Sequence, residues 1–161
     1  MGRPEILCAC PTCLKNLREL TSLPARGVWE VLLELGTEPV TDQRVSIHDA
    51  CGAREDGEIR AQIRRFAEAL GCRVEEMPFA GELSPCCGYG GLVRYANPKM
   101  AEKKAAFASG RSEHRILTYC MACRDQFQRA GKDSIHILEL ACQVEPGPVP
   151  DLSLRRANRL K

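Results

Sequence analysis

The chain has 161 residues, enough for one domain with a real core and no dependence on disulfide staples. Its formal charge of +2 gives no reason to expect nucleic acid or a membrane surface as partner. The opening MGRPEILCACPTC has no secretory pattern, and no run approaches the ~18 apolar residues of a membrane span. A cytoplasmic protein with reduced thiols is therefore expected.

Short apolar runs alternate with helix-length amphipathic segments. RVSIHDACG (Arg44–Gly52) reads as a strand ending in a turn. GEIRAQIRRFAEALG (Gly57–Gly71) reads as a helix, with Ile59, Ile63, Phe66 and Leu70 on one face and Gly71 as its stop. CRVEEMPF (Cys72–Phe79) is the next expected strand. It is followed by the glycine-rich turn SPCCGYGG and a helix in PKMAEKKAAFAS. RILTY (Arg115–Tyr119) predicts a strand and MACRDQFQRAG a helix. SIHILELA is a last apolar element whose type the pattern does not settle. EPGPVP (Glu145–Pro150) then leads to a basic tail. Alternation of this kind predicts an α/β layered domain with a largely parallel sheet.

Ten cysteines stand out: Cys8, Cys10, Cys13, Cys51, Cys72, Cys86, Cys87, Cys120, Cys123 and Cys142. In a reducing compartment, clustered cysteines point to metal or redox chemistry before disulfides. The pair Cys86–Cys87 is unsuited to an internal disulfide. Adjacent Cα atoms lie about 3.8 Å apart, below the roughly 4.4–6.8 Å of unstrained bridges. Two neighbouring thiolates aimed at one object, with Gly88, Gly90 and Gly91 letting backbone approach it, is the better reading. Cys51, the pair and Cys120-x-x-Cys123 each fall in a turn after an expected strand. In an open parallel sheet such turns share one edge. Thiolates select zinc, Cu(I) or iron–sulfur clusters, and five exceed the four that zinc normally takes. The chain also echoes itself: ILCACPTCLKNLREL (Ile6–Leu20) aligns with ILTYCMACRDQFQRA (Ile116–Ala130), placing Cys10 and Cys13 on Cys120 and Cys123.

The pattern Cx34CCx32CxxC, with the local sequences HDACGARED, PCCGYGG and TYCMACRDQF, resembles the cysteine-rich CCG domain of heterodisulfide reductase and related iron–sulfur oxidoreductases. The resemblance implies a complete CCG domain over 44–143. Residues 1–36 would be the remnant of a preceding CCG repeat packed with it, and 144–161 a proline-rich linker and basic tail. It also implies that Cys51, Cys86, Cys87, Cys120 and Cys123 are metal ligands. In that family such a motif holds a noncubane [4Fe–4S] cluster in some members, and zinc or an ordinary cluster in others. The implied function is an iron–sulfur redox domain carrying electrons to a disulfide or a partner within an oxidoreductase complex. The partners would be an electron-donor subunit and a disulfide substrate. The alternatives are a non-catalytic zinc module and a cluster-free CxxC dithiol oxidoreductase.

Cys10 and Cys13 form a second metal half-site, or a redox pair whose helix start would lower a thiol pKa. Cys8, Cys72 and Cys142 read as small core residues. His48, three residues before Cys51, could supply protons to cleaved thiols or could equally be structural. His114 and His136 read as structural or exposed. Arg54 and Arg124, with Gly88, are expected around the ligands. Both arginines lie close behind a ligand cysteine, where a cation would offset thiolate charge unless Asp49 or Asp125 cancels it. Arg60, Arg64 and Arg65 look like a solvated helix face. GYGG is not a phosphate loop.

Overall fold

The structure is a computed structural model that describes residues 4–151, 153 and 157. Arg155, Arg156, Arg159 and Lys161 of the expected basic tail lie outside the described residues. In chain order the elements are β1 (Ile6–Cys8), α1 (Pro11–Leu20), β2 (Ala25–Gly27), α2 (Val28–Leu35), β3 (Arg44–His48), α3 (Gly57–Ala69) and β4 (Arg73–Val74). They continue as α4 (Val93–Ala96), α5 (Pro98–Ser109), β5 (Arg115–Thr118), α6 (Met121–Arg129), β6 (Ser134–His136) and α7 (Ile137–Ala141). The principal sheet has four parallel strands in the order β4-β3-β5-β6, and β1 and β2 form a separate parallel pair. The α/β layered architecture with a parallel sheet is as expected.

Local chemistry explains the main boundaries. The carboxylate of Asp56 caps α3 by accepting the Ile59 N–H at 3.0 Å, and Ile59, Ile63 and Phe66 bury its apolar face. Gly71 ends that segment at φ +90°, and a Cβ there would lie 2.0 Å from the Thr41 carbonyl oxygen. Only glycine fits. The strand expected over Cys72–Phe79 is reduced to Arg73–Val74. Glu75 still donates to the Val45 carbonyl at 2.9 Å, but Pro78 has no N–H and Phe79 sits at φ 64°, so the ladder stops. SIHILELA is both types in turn: β6, then α7. His136 Nδ1 accepts from Leu138 N–H at 3.2 Å while Glu139 accepts the His136 N–H at 2.9 Å, so the switch is a helix cap.

The sequence echo has a structural counterpart. β1-α1-β2-α2 and β5-α6-β6-α7 have the same order, each with parallel strands. In both, a glutamate three residues into the last helix accepts the cap residue's N–H and an arginine of the preceding helix. These are Glu30 with Gly27 and Arg18, and Glu139 with His136 and Arg124.

One core joins the two units. Trp29 of α2 is 0% exposed, donates its indole N–H to Gln62 of α3 at 3.0 Å and meets Tyr119 edge-on at 6.5 Å. Leu14 and Trp29 share the buried cluster with Ile47, Ile63, Phe66 and Leu117. Trp29→Ala should therefore destabilise the whole fold by about 3–5 kcal/mol. Urea unfolding followed by circular dichroism checks this, since the substitution removes the only tryptophan. An unchanged midpoint would mean that residues 4–36 are an appendage.

A candidate metal centre at the carboxyl edge of the sheet

The three groups of expected ligand cysteines lie where strands run out. Cys51 opens a 3-10 turn (Cys51–Ala53) just beyond β3, Cys120 caps α6 just beyond β5, and Cys86–Cys87 lie in the long loop after β4. The five thiols touch in sequence. Cys51 hydrogen-bonds Cys86, Cys86 contacts Cys87, and the Cys123 and Cys87 sulfurs are 3.2 Å apart. Cys123 in turn bonds Cys120. The arrangement is a string and not a ring around one point. Among the described residues no three His, Cys, Asp or Glu side chains are set to hold a single ion. Cys87 and Cys123, inside the string, are buried, Cys86 and the terminal Cys120 half-buried, and Cys51 exposed, so both ends lie nearer solvent than the middle.

Backbone amides point at these sulfurs. Gly88 N–H donates to Cys86 Sγ at 3.3 Å, and amides of Ala122 and Cys123 bond Cys120. Hydrogen bonds from Cys51 and Cys87 hold the Cys86 thiol down to about 2, and that from Cys123 holds Cys120 down to about 6. Their neighbours shift the opposite way. Sharing a proton with Cys86 pushes Cys51 up, and sharing with Cys120 and Cys87 pushes Cys123 up. Cys87 is raised to about 12: the bond from Cys123 lowers it, but the bond with Cys86 and burial outweigh that. Two thiolates separated by protonated thiols is what a crowded sulfur row adopts without a cation. The donor set therefore fits a sulfur-liganded metal group: thiolates ready to bind, amides aimed at them, and three more thiols that a cation would ionise. Gly88 makes this geometry possible. It sits at φ +86°, and a Cβ would lie 2.8 Å from the Ala101 carbonyl oxygen.

The three turns are tied together by Asp49, for which the sequence pattern suggests only a local arginine partner. Buried at the end of β3, it accepts both guanidinium nitrogens of Arg64 at 3.0 and 2.9 Å. It also accepts the Gly81 N–H at 2.7 Å and the Tyr119 hydroxyl at 3.0 Å. Burial alone would raise its carboxyl, but these bonds outweigh burial and hold it below the usual range. Arg64, expected on a solvated face, is thus half-buried in this network and also binds Glu76. Arg60 is likewise engaged, donating to the Ala53 and Arg54 carbonyls. The signal that could have found this network is position: Asp49 lies two residues before Cys51, and Tyr119 immediately precedes Cys120.

The remaining expectations divide. Arg54 donates to the Ser84 carbonyl at 2.8 Å, bracing the Cys51 turn against the Cys86–Cys87 loop. Arg124 is buried and paired with Glu139 and Asp125 at 2.6 and 2.9 Å, so its charge is cancelled locally. His48 is buried and held near 4 by burial, so it is neutral at pH 7 and lacks the cationic form of a strong proton donor. Cys8 and Cys72 are buried, but Cys142 is exposed and not a core residue, since α7 ends beside it. His114 pairs with Glu75 at 2.8 Å. Cys13 hydrogen-bonds Cys10, which with their mutual repulsion pushes the Cys13 thiol up. Their turn packs on that of Cys51, where a Cβ on Gly52 would lie 2.3 Å from Thr12 Oγ1.

Removing one partner from a buried ion pair leaves the other charge stranded. Asp49→Ala should cost about 3–5 kcal/mol by denaturant titration of metal-free protein. A cost below about 1 kcal/mol, the worth of an exposed pair, would deny Asp49 its role as the tie.

Comparison with known proteins agrees with the site. A family model described as a cysteine-rich domain, CCG, matches residues 45–128, more than half of the chain. An uncharacterized iron-sulfur protein of Methanocaldococcus jannaschii is 28% identical over 135 residues, covering 76% of this chain and 27% of that protein. A subunit of the fumarate reductase (CoM/CoB) of Methanothermobacter marburgensis is 24% identical over 159 residues, covering 86% and 31%. The chain thus spans between a quarter and a third of these relatives' length. A glutamate racemase, isoform RacE1 of Bacillus anthracis, overlays at 14% identity over 86% of this chain and 55% of that one. Its TM-score is 0.39, too loose a likeness to carry an argument. The matched segment contains all five clustered cysteines in the spacing that resembles the family, and the chain belongs to the cysteine-rich CCG domain family.

Proposed function

We propose that this chain is an iron–sulfur redox domain in which Cys51, Cys86, Cys87, Cys120 and Cys123 hold a [4Fe–4S] cluster, of the noncubane kind the motif suggests. The observation that carries the proposal is the unbroken string of five thiols, which extends past the reach of a four-ligand zinc ion. The names of the relatives support iron–sulfur chemistry and membership of a reductase complex. A bound cluster would supply one-electron transfer at a potential set by its ligands and surroundings.

The chain's own groups do the rest. Cys86 and Cys120 are thiolates at neutral pH and would engage metal first, one at each motif. Cys87 and Cys123 keep water from the middle of the row, and Cys51 leaves one end accessible to a disulfide or an electron-transfer partner. Arg54 holds the outer turn against the loop, and Asp49 fixes all three turns before metal arrives. Electrons would come from a donor subunit or from the rest of a longer protein. Residues 1–36 are proposed as the remnant of a preceding repeat, with Cys10 and Cys13 its surviving half-site. Among the described residues no helix is long and apolar enough to cross a membrane.

Iron, acid-labile sulfide and zinc content of anaerobically prepared protein tests the proposal directly. About four irons and four sulfides per chain, with visible absorbance, are expected. Cys87→Ser should lose or convert the cluster while the far-ultraviolet spectrum persists. One zinc and no iron would overturn the proposal. Metal uptake should also weaken as pH falls through about 6, where Cys120 regains its proton and competes with metal. A pH series of iron uptake checks this, and a flat profile from pH 8 to pH 5 would contradict it.

A further inference from the structure

Gln126 of α6 is 0% exposed, yet neither its amide nitrogen nor its amide oxygen has a hydrogen-bond partner. His48 Nδ1 is in the same condition. Native proteins rarely bury unpaired polar groups, and such groups mark a ligand, a water or strain. Two other unbonded atoms, on Arg94 and Arg115, differ because each lies in an ion pair, with Glu102 at 3.6 Å and Asp133 at 3.1 Å. Gln126, an uncharged amide, has no such counter-group.

Their placement points to the sulfurs. On a helix of 3.6 residues per turn, Cys123, Gln126 and Phe127 share a face. A helical side chain leans back over the turn N-terminal to it, and for Gln126 that turn carries Cys123, three residues before it. Arg124, to one side of this face, is spent on Glu139, leaving Gln126 on the other. His48 meets Phe127 edge-on at 4.7 Å, and Phe127 packs in one cluster with Cys123. The rest of that face is apolar: Cys87, Ala105, Ala108 and Ile116 cluster with Cys123 and Phe127.

We infer that the Gln126 side-chain amide is a hydrogen-bond donor to the sulfur-held group beside the buried Cys123 of the string, and that it raises that group's reduction potential. The inference rests on the proposed function. A neutral N–H directed at sulfur favours the reduced, more negative state and so shifts the potential upward, without adding a charge that titrates. His48, neutral and fully enclosed, completes the polar wall.

The test uses the full chain, reconstituted anaerobically with iron and sulfide, as wild type, Gln126→Leu and Gln126→Met. Midpoint potential, rate of iron loss to a chelator and melting temperature of the metal-free form are measured. Both substitutions are expected to raise the metal-free melting temperature, because an unpaired buried amide is gone. Both should lower the midpoint potential and speed iron loss. Wild-type iron uptake with a potential unmoved by either substitution would overturn this inference alone. No iron uptake by the wild type would overturn the proposed function and the inference with it. Failure of both variants to fold without metal would show that the amide is needed there, and would overturn the inference as well.

Discussion

Four hydrogen bonds converge on the carboxylate of Asp49, and they come from three different parts of the chain: α3, the loop before the cysteine pair, and the end of β5. Parallel strands bring their carboxyl ends to one edge but do not fix the turns that follow. Here a buried anion does so. Asp49 lies two residues before Cys51, Tyr119 immediately before Cys120 and Gly81 in the loop that leads to Cys86, so the sulfur row inherits their positions. A buried charge costs several kcal/mol unless it is paired and fully bonded, and Asp49 is both. The fold can thus hold five thiols, two of them ionised, close together before any cation offsets the charge.

The sulfur row shows the complementary balance. Hydrogen bonds among thiols, and from the amides of Gly88, Ala122 and Cys123, let two sulfurs ionise while three stay protonated. Such a row has a standing affinity for a polyvalent cation, since each further ionisation needs positive charge nearby. Its middle, Cys87 and Cys123, is buried, and Cys51 at one end is exposed. Arg124, close as it is, contributes little charge because Glu139 and Asp125 neutralise it.

The N-terminal unit is more than a leader to this site. Trp29 fills the core between α2, α3 and Tyr119, and the start of α1 presses Thr12 against Gly52 beside Cys51. Its β1-α1-β2-α2 order repeats that of β5-α6-β6-α7, down to the glutamate that caps the last helix of each. The two segments differ in their cysteines. Cys120 and Cys123 join a five-thiol row, whereas Cys10 and Cys13 hydrogen-bond each other near the surface.

The cysteine spacing, the strand and helix alternation and the glycine after the pair are legible in the chain alone. Each depends on local rules: the period of apolar residues, the short span of adjacent Cα atoms, and the φ that only glycine adopts cheaply. That is why β3, α3, α5 and α6 and the five clustered cysteines lie where the pattern puts them. The truncation of β4 depends on Phe79 turning left-handed after Pro78, which apolar alternation does not register. Arg64, the partner of Asp49, escapes the pattern because it lies on a helix whose polar face looks solvated in one dimension. Only packing of α3 against the end of β3 turns that residue inward. The unpaired amide of Gln126 is invisible to pattern for the same reason: a glutamine in MACRDQFQRA is ordinary until the helix is enclosed on every side. Sequence determined which atoms carry the chemistry, because thiols and glycines act through their own identity. Tertiary structure decided which charges are spent and which polar groups remain free, because burial and partnership arise only when distant segments meet.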